Sequence, residues 1–147
     1  MRNQVLTGDV LIAGLGEDTT VVGRACCYPS DLPPAINKAD CFRLRCHSTQ
    51  ALNAFVMFFL NTTAARRQVR RFEQGVTRRR INTGNIKKVI VGLPSSPEQK
   101  LIVQLLADAG AQIEASNGHL AKLRQQKQGL MQDLLTGRVP VNTAEAV

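Results

Sequence analysis

Residues 96–137 read SPEQKLIVQLLADAGAQIEASNGHLAKLRQQKQGLMQDLLTG. The stretch begins as helices begin, because Ser96 can cap, Pro97 suits the first helical position and Gln99 can complete a capping box. No second proline interrupts the stretch, and Gly137 is a typical C-terminal stop. The sequence therefore predicts one helix of about 40 residues, roughly 60 Å long, which is longer than a small domain is wide.

An apolar seam runs along this helix. Positions that step by four and three residues are apolar at eight of ten places, with Ser116 and Lys127 as the exceptions. The alternative to an external partner is a helix folded back on its own domain, but fewer than a hundred residues precede it and could cover only part of the seam. A heptad seam of this length is typical of a helix that packs on another helix. We predict that the partner contacts Ile102, Leu106, Ile113, Leu120, Leu123, Leu130 and Leu134.

The residues before the helix show strand patterns in several places. The apolar run 10–12, the β-branched run 19–27 and the alternating run 41–46 each favour a strand, as do residues 88–91. The segment GEDTT, residues 16–20, is interpreted as the hairpin connection between the first two strands.

Two helices and a short turn are predicted among these strands. Residues 48–60 favour a helix capped by Ser48 or Thr49, residues 62–73 favour a second helix, and Asn82 or Thr83 can cap a turn. The predicted fold class is mixed α/β (α+β). It comprises a small partial-sheet domain at 1–95, the long helix at 96–137 and a disordered tail at 138–147.

Positive charge is concentrated in one segment. The formal net charge of the chain is +8, and residues 66–88 contain nine lysines and arginines against a single acid, Glu73. This segment alone therefore carries the whole surplus. A surface that is merely solvated mixes the two signs, so the asymmetry predicts a polyanionic partner.

The basic segment offers two kinds of contact to DNA. The pairs at 66/67 and 70/71 recur every four residues and share one helix face, which suits phosphates. The triplet 78–80 is predicted in a loop, where side chains can reach a groove and discriminate between bases. The candidate DNA-binding residues are Arg66, Arg67, Arg70, Arg71, Thr77, Arg78, Arg79, Arg80, Lys87 and Lys88.

Four cysteines raise the question of a metal site. Zinc would require Cys26, Cys27, Cys41 and Cys46, with His47 as a fifth candidate ligand, but the adjacent first pair cannot form a C-x₂₋₄-C knuckle and no second knuckle occurs. The alternative is reduced, partly buried cysteine in a cytosolic protein. We predict no metal, no other cofactor and no disulfide.

The sequence contains none of the motifs that common catalytic sites require. There is no phosphate-binding loop, no GxSxG and no histidine pair, and the glycines of LIAGLGED lack the third glycine of a dinucleotide fingerprint. No apolar run approaches the length of a membrane span, and no export signal is evident at the start. We predict a cytoplasmic protein without catalytic residues and without a membrane partner.

The order of these features resembles the specificity subunits of type I restriction-modification enzymes. That family has a target-recognition domain followed by a long spacer helix, and the resemblance covers about residues 6–139. It rests on GDVLI at 8–12, the basic helix, GVTRRRI at 75–81, the predicted strand ending at Leu93-Pro94, PEQKLI at 97–102 and LLTGR at 134–138. The family typically has a glycine–threonine loop, a strand ending in prolines, a helix that starts with Glu-Gln and a Leu-Thr-Gly sequence at its end. In this sequence these features correspond to Gly75, Thr77, Ile81, Pro94, Glu98, Gln99, Leu135, Thr136 and Gly137.

The resemblance implies a non-catalytic subunit that recognises a DNA sequence and directs a methyltransferase subunit and a restriction subunit. Subunits of the family usually contain two recognition domains and two spacer helices, whereas this sequence has one helix and a recognition domain that looks shortened at its start. Two copies could pair their helices antiparallel, or one copy could dock on a partner subunit. The rival interpretation is a coiled-coil interaction module whose basic face contacts RNA or any nucleic acid.

Overall fold

The structure is a computed structural model that describes residues 4–17, 20–47 and 49–141. It confirms the predicted mixed α+β class, with seven short strands and four helices among the described residues. The chain divides into two compact units, Met1–Gln104 and Leu105–Val147. The predicted tail at 138–147 lies mostly outside the described residues.

A three-stranded antiparallel sheet forms the centre of the first unit. Its strands are β2 (Val10–Ala13), β4 (Ala25–Cys27) and β6 (Cys41–Leu44), with β2 in the middle. Val10 and Ile12 point from β2 into the core, as the two-residue period of a strand requires. They pack with Ala25 and with three residues of the first helix, Phe55, Val56 and Leu60.

The strand predicted at 19–27 is shorter in the structure. Only Ala25–Cys27 forms β4, because Gly23 adopts φ +77° and its N–H turns to the carbonyl of Ala13. Glu17 and Thr20 exchange both backbone hydrogen bonds, which agrees with the predicted hairpin connection. The two residues between them lie outside the described part.

Two further pairs of strands flank the sheet. β1 (Gln4–Val5) pairs with β5 (Ala35–Ile36), and β3 (Leu15–Gly16) pairs with β7 (Arg79–Arg80). Close packing explains the glycines of LIAGLGED, because a Cβ on Gly14 would lie 2.8 Å from the Phe42 ring. They serve close packing and not a phosphate loop.

A buried carboxylate holds the turn before β2. Asp9 follows Gly8, and its side chain accepts hydrogen bonds from the Leu6 N–H at 2.9 Å and from the Arg45 guanidinium at 2.6 Å to each oxygen. The guanidinium hydrogen bond holds the pKa of Asp9 below its usual value although burial acts in the opposite direction. The GD pair therefore anchors the end of β6 to the start of β2.

The first helix, α1 (Asn53–Leu60), begins later than predicted. Leu52 occupies the N-cap position without a side-chain cap, so the predicted start near Thr49 is wrong; Ser48 lies outside the described residues. Just after the helix, the side-chain amide of Asn61 donates to the Ala25 carbonyl at 2.8 Å and accepts from the Ala25 N–H at 3.2 Å. Asn61 thereby takes the place of a missing neighbour strand at the open edge of β4.

The predicted strand at 88–91 is wrong. The structure has a short helix, α3 (Thr83–Ile86), capped by Asn82 as predicted, and then an irregular segment. Both backbone groups of Ile90 bond to the side-chain amide of Gln68, at 2.9 and 3.0 Å. A single amide therefore satisfies the groups that a neighbouring strand would otherwise pair.

The long helix α4 runs from Ser96 to Leu135. The capping box predicted for Gln99 is wrong, because this side chain is 1% exposed and bonds to the Leu52 N–H and to the carbonyls of Gln50 and Pro94. The C-terminal stop is at Gly137, which adopts φ +70°.

Candidate nucleic-acid interface

Two of the three basic residues of the second helix, Arg67 and Arg70, lie on its outer face. Thr62 caps helix α2 (Thr63–Arg70), because its hydroxyl accepts a hydrogen bond from the Ala65 N–H. The helix ends before residues 71–73, which were predicted to continue it. Ala65 and Val69 are fully buried on the inner face. Because positions three and four apart share a face, the exposed cations of α2 and its C-cap form one surface, comprising Arg67, Arg70 and Arg71.

Arg66 is turned toward its own domain. Its guanidinium donates to the carbonyl of Val22 at 2.9 Å and to the side chain of Asn61 at 2.9 Å. Burial, with the nearby charge of Arg24, lowers the pKa of Arg66. Arg66 therefore ties α2 to the turn before β4 and offers little to an external ligand.

Arg79 and Arg80 belong to strand β7 and not to the predicted loop, whereas Arg78 does lie in a loop, as predicted. Arg80 pairs with Leu15 on one side and with Gln74 on the other, and Ile81 continues the pairing to Gly14. The loop proper is the short turn 75–78, closed by two Gln74–Arg80 backbone hydrogen bonds of 2.8 and 2.9 Å. This pairing fixes the backbone direction at Arg79 and Arg80.

Each arginine of the triplet faces one carboxylate from elsewhere in the sequence. Arg78 lies 3.6 Å from Glu17, Arg79 lies 3.8 Å from Glu73, and Arg80 lies 3.5 Å from Asp40. The three guanidinium side chains remain 56–70% exposed, so these are weak surface ion pairs. In space, therefore, the triplet is locally compensated and the larger surplus of positive charge lies on α2.

A shallow cleft brings the two arginine groups together. It has a volume of about 130 Å³ and is lined by Arg70 of α2 and Arg79 of β7, with Glu17 and Glu73 on its wall. A ligand at this cleft can touch the helix face and the strand at once. The cleft joins helix α2, whose arginines are predicted to contact phosphates, to β7, whose arginines are predicted to reach the bases.

The remaining predicted contacts are spread over the same part of the chain. Thr77 and Lys87 are exposed. Lys88 bonds to the Asn85 side chain at 3.1 Å and lies over the Phe72 ring, 5.3 Å from its centre. Phe72 packs on the second core cluster of Val22, Val69 and Ile81, so Lys88 covers this cluster and contributes to the fold.

Most of the predicted helix seam is exposed. Leu106, Leu120 and Leu134 are 41–43% exposed, and Ile113, Leu123 and Leu130 are 47–61% exposed. Ile102 differs, because it is half-buried against the core of the first unit. The seam positions from Leu106 onward therefore remain available to a partner helix.

The four cysteines are free thiols distributed over both faces of the central sheet. Cys26 stands opposite Leu11 and Cys27 opposite Val10, so the adjacent pair points in opposite directions. Burial raises the pKa of Cys27, Cys41 and Cys46. Within residues 4–17, 20–47 and 49–141, no three His, Cys, Asp or Glu side chains lie close enough to hold a metal ion.

Sequence reasoning missed the acidic partners of the triplet. Glu17 and Asp40 lie far from the arginines along the chain, and no local pattern pairs them. It also missed Asn61, Gln68 and Gln99 as links between segments. A signal for Asp9 was available, since an aspartate directly after a turn glycine and before an apolar strand is often a turn anchor.

An exposed arginine surface on a small α+β domain, followed by a long helix with an open apolar seam, is typical of a protein that binds nucleic acid and carries a helical connector. The model of the type I restriction modification DNA specificity domain matches residues 18–125. The chain belongs to this family, which confirms the resemblance and gives it a DNA specificity role in type I restriction-modification. No curated protein matches the chain. Among the residues that the structure describes, no helix combines the length and the hydropathy of a membrane span.

Proposed function

We propose that this chain is a non-catalytic subunit that recognises a duplex DNA sequence and directs a separate methyltransferase subunit and a restriction subunit. The observation that carries the proposal is the joint arginine surface of α2 and β7 around one cleft. Family membership supplies the system in which such a surface acts.

The two arginine groups suit different tasks. Arg67, Arg70 and Arg71 stand on an exposed helix face where no acid lies in the first turn, so they can neutralise phosphates. Arg79 and Arg80 stand on a paired strand, where a fixed backbone can aim side chains at base edges. Affinity is therefore assigned to α2 and sequence discrimination to β7.

Helix α4 is assigned to partner binding, and a second copy of the chain fits it. Acidic residues Asp108 and Glu114 precede the middle of the helix, whereas the basic residues Lys122, Arg124 and Lys127 follow it. An antiparallel pair places the acidic half of one helix beside the basic half of the other, and charges beside a seam set orientation.

The spacing of the seam gives this pair a definite register. With Gly118 at the two-fold axis, Ile113 of one copy faces Leu123 of the other, and Leu106 faces Leu130. The glycine at the axis has open space around it in the single chain. An isologous contact of this kind closes after two copies.

Binding measurements on duplex DNA, duplex RNA and single-stranded DNA test the proposal against the rival interpretation. We expect the full chain to prefer duplex DNA and to select a sequence from a random pool. The triple variant Arg67→Ala, Arg70→Ala, Arg71→Ala should lose duplex affinity by more than about tenfold, while Lys38→Ala, an exposed lysine in a loop, should change little. Equal affinity for RNA, or no selected sequence, overturns the proposal.

A further inference from the structure

The turn at 75–78 carries an apolar residue at its tip. Val76 is 90% exposed, which is the highest value among the large apolar residues that the structure describes, and its neighbour Thr77 is exposed too. Single exposed apolar residues are common on protein surfaces. The surroundings of this one are unusual in two independent ways.

First, the turn is held rigidly. The Gln74–Arg80 backbone bonds close it, and β3 pairs with the strand that leaves it. Gly75 adopts φ +94°, and a Cβ there would lie 2.5 Å from the carbonyl of Arg78, so the turn accepts only glycine. The tip is therefore presented in one conformation, and binding need not order it.

Second, exposed arginines stand beside the turn, although each also faces one acid. Three arginines follow Thr77, the neighbour of Val76, and Arg79 lines the cleft that Arg70 of α2 also lines. An apolar protein partner would have to bury these charges at high cost. Duplex DNA, in contrast, offers phosphates to the arginines and one kind of apolar group on its base edges, the 5-methyl group of thymine.

We propose that the turn 75–78 enters the major groove and that Val76 contacts a thymine methyl group, which makes it a specificity-determining residue. The inference rests on the proposed function. A closed turn with two paired backbone segments has the width of a β-ribbon, which the major groove admits. The valine side chain is short, which suits contact with a methyl group better than insertion between stacked bases.

The test first selects bound duplexes from a random pool with the full wild-type chain. Each thymine of the selected site is then replaced in turn by uracil, which removes only the methyl group. We expect one replacement to weaken wild-type binding about fivefold. Val76→Ala should bind the thymine duplex as weakly as the wild type binds the uracil duplex, and should no longer distinguish the two.

The controls separate this inference from the proposed function. Val141→Ala removes the same atoms from another exposed valine and should keep the wild-type response. Thermal unfolding of Val76→Ala should match the wild type, because the side chain touches little of the protein. If no sequence is selected, the proposed function fails. If a sequence is selected but contains no thymine, or if Val76→Ala responds to uracil as the wild type does, the role of Val76 is overturned.

Discussion

The Asp9 carboxylate, 2% exposed, receives two hydrogen bonds of 2.6 Å from the Arg45 guanidinium, one to each oxygen. This bidentate pair lowers the pKa of Asp9 in the folded chain. A lowered folded-state pKa means that the stabilisation is fully present above the unfolded pKa of about 3.9 and is lost as the pH falls through the lower folded value.

Stability should therefore depend on pH through Asp9. We expect Asp9→Asn to lower the Tm by several degrees at pH 7, because the amide cannot accept both guanidinium bonds. The difference from the wild type should shrink as the pH falls below about 4. Thermal unfolding of both chains between pH 7 and pH 3 measures this. Asp31→Asn, an exposed loop aspartate, is the control, and a constant difference across the range would exclude the Asp9 contribution.

Replacing Gln99 should lower the free energy of unfolding more than its position at a helix start suggests. Gln99→Ala removes a buried side chain and leaves the Leu52 N–H and the carbonyls of Gln50 and Pro94, which are partly buried, without this partner. We expect a loss of about 2–4 kcal/mol in the free energy of unfolding. Urea denaturation provides the measurement, with exposed Gln112→Ala as the matched control; similar losses in the two variants would contradict the role assigned to Gln99.

The two arginine groups should differ in how they affect DNA binding. Arg70→Ala removes a phosphate contact, so it should weaken all duplexes alike and reduce the slope of log K against log salt by about one. Arg79→Ala should instead reduce the ratio of the affinity for target DNA to the affinity for unrelated DNA. Binding titrations at several salt concentrations separate the two effects. The assignment fails if both variants give the same change in slope and in discrimination.

The acidic partners of the triplet should restrain nonspecific binding. A phosphate that approaches Arg78 or Arg80 competes with Glu17 or Asp40. Because exposed ion pairs contribute up to about 1 kcal/mol, Glu17→Gln and Asp40→Asn should each raise affinity for unrelated duplex by about two- to fivefold. Asp31→Asn makes the same change in net charge away from the triplet. An equal rise in that control would attribute the effect to net charge alone.

The seam of α4 should hold two copies together. We expect a dimer in sedimentation equilibrium, and Leu120→Glu with Leu123→Glu should weaken it by at least about a hundredfold, since each dimer buries both residues twice. Gln125→Glu, away from the seam, serves as the control. A wild-type chain that stays monomeric at high micromolar concentration would rule out the homodimer and leave docking on a partner subunit.

The sequence was sufficient to predict the parts of the fold that local signals define. Helix α4 has Pro97 in its first turn and Gly137 just after its end, and a break between them would need a second proline, which the stretch lacks. The turn cap at Asn82 and the family itself were also predicted correctly, since both depend on short, ordered motifs. These features need no knowledge of what lies nearby in space.

The wrong predictions share one physical cause. Ile90 lies in a β-prone run, but the amide of Gln68 satisfies its backbone, and Arg79 lies in a polar run but completes a ladder with β3. In each case a residue distant in the sequence decides the local structure. The acids that compensate the arginine triplet escaped prediction for the same reason, so the charge surplus of residues 66–88 was located correctly along the chain but not in space.

The side-chain amide links also determine when parts of the fold can form during synthesis. The Ala25 N–H can bond to Asn61 only after 36 more residues have been made, and the Leu52 N–H can bond to Gln99 only after 47 more. At about 5–20 residues per second, the second interval alone lasts roughly 2–10 s. The apolar face of β2 depends on α1 in the same way, because Leu60 is made 48 residues after Ile12, so a nascent chain spends seconds on the ribosome with this face made but not yet enclosed. The yield of native protein in the cell should then depend on translation speed and chaperone supply as much as on the stability of the finished fold.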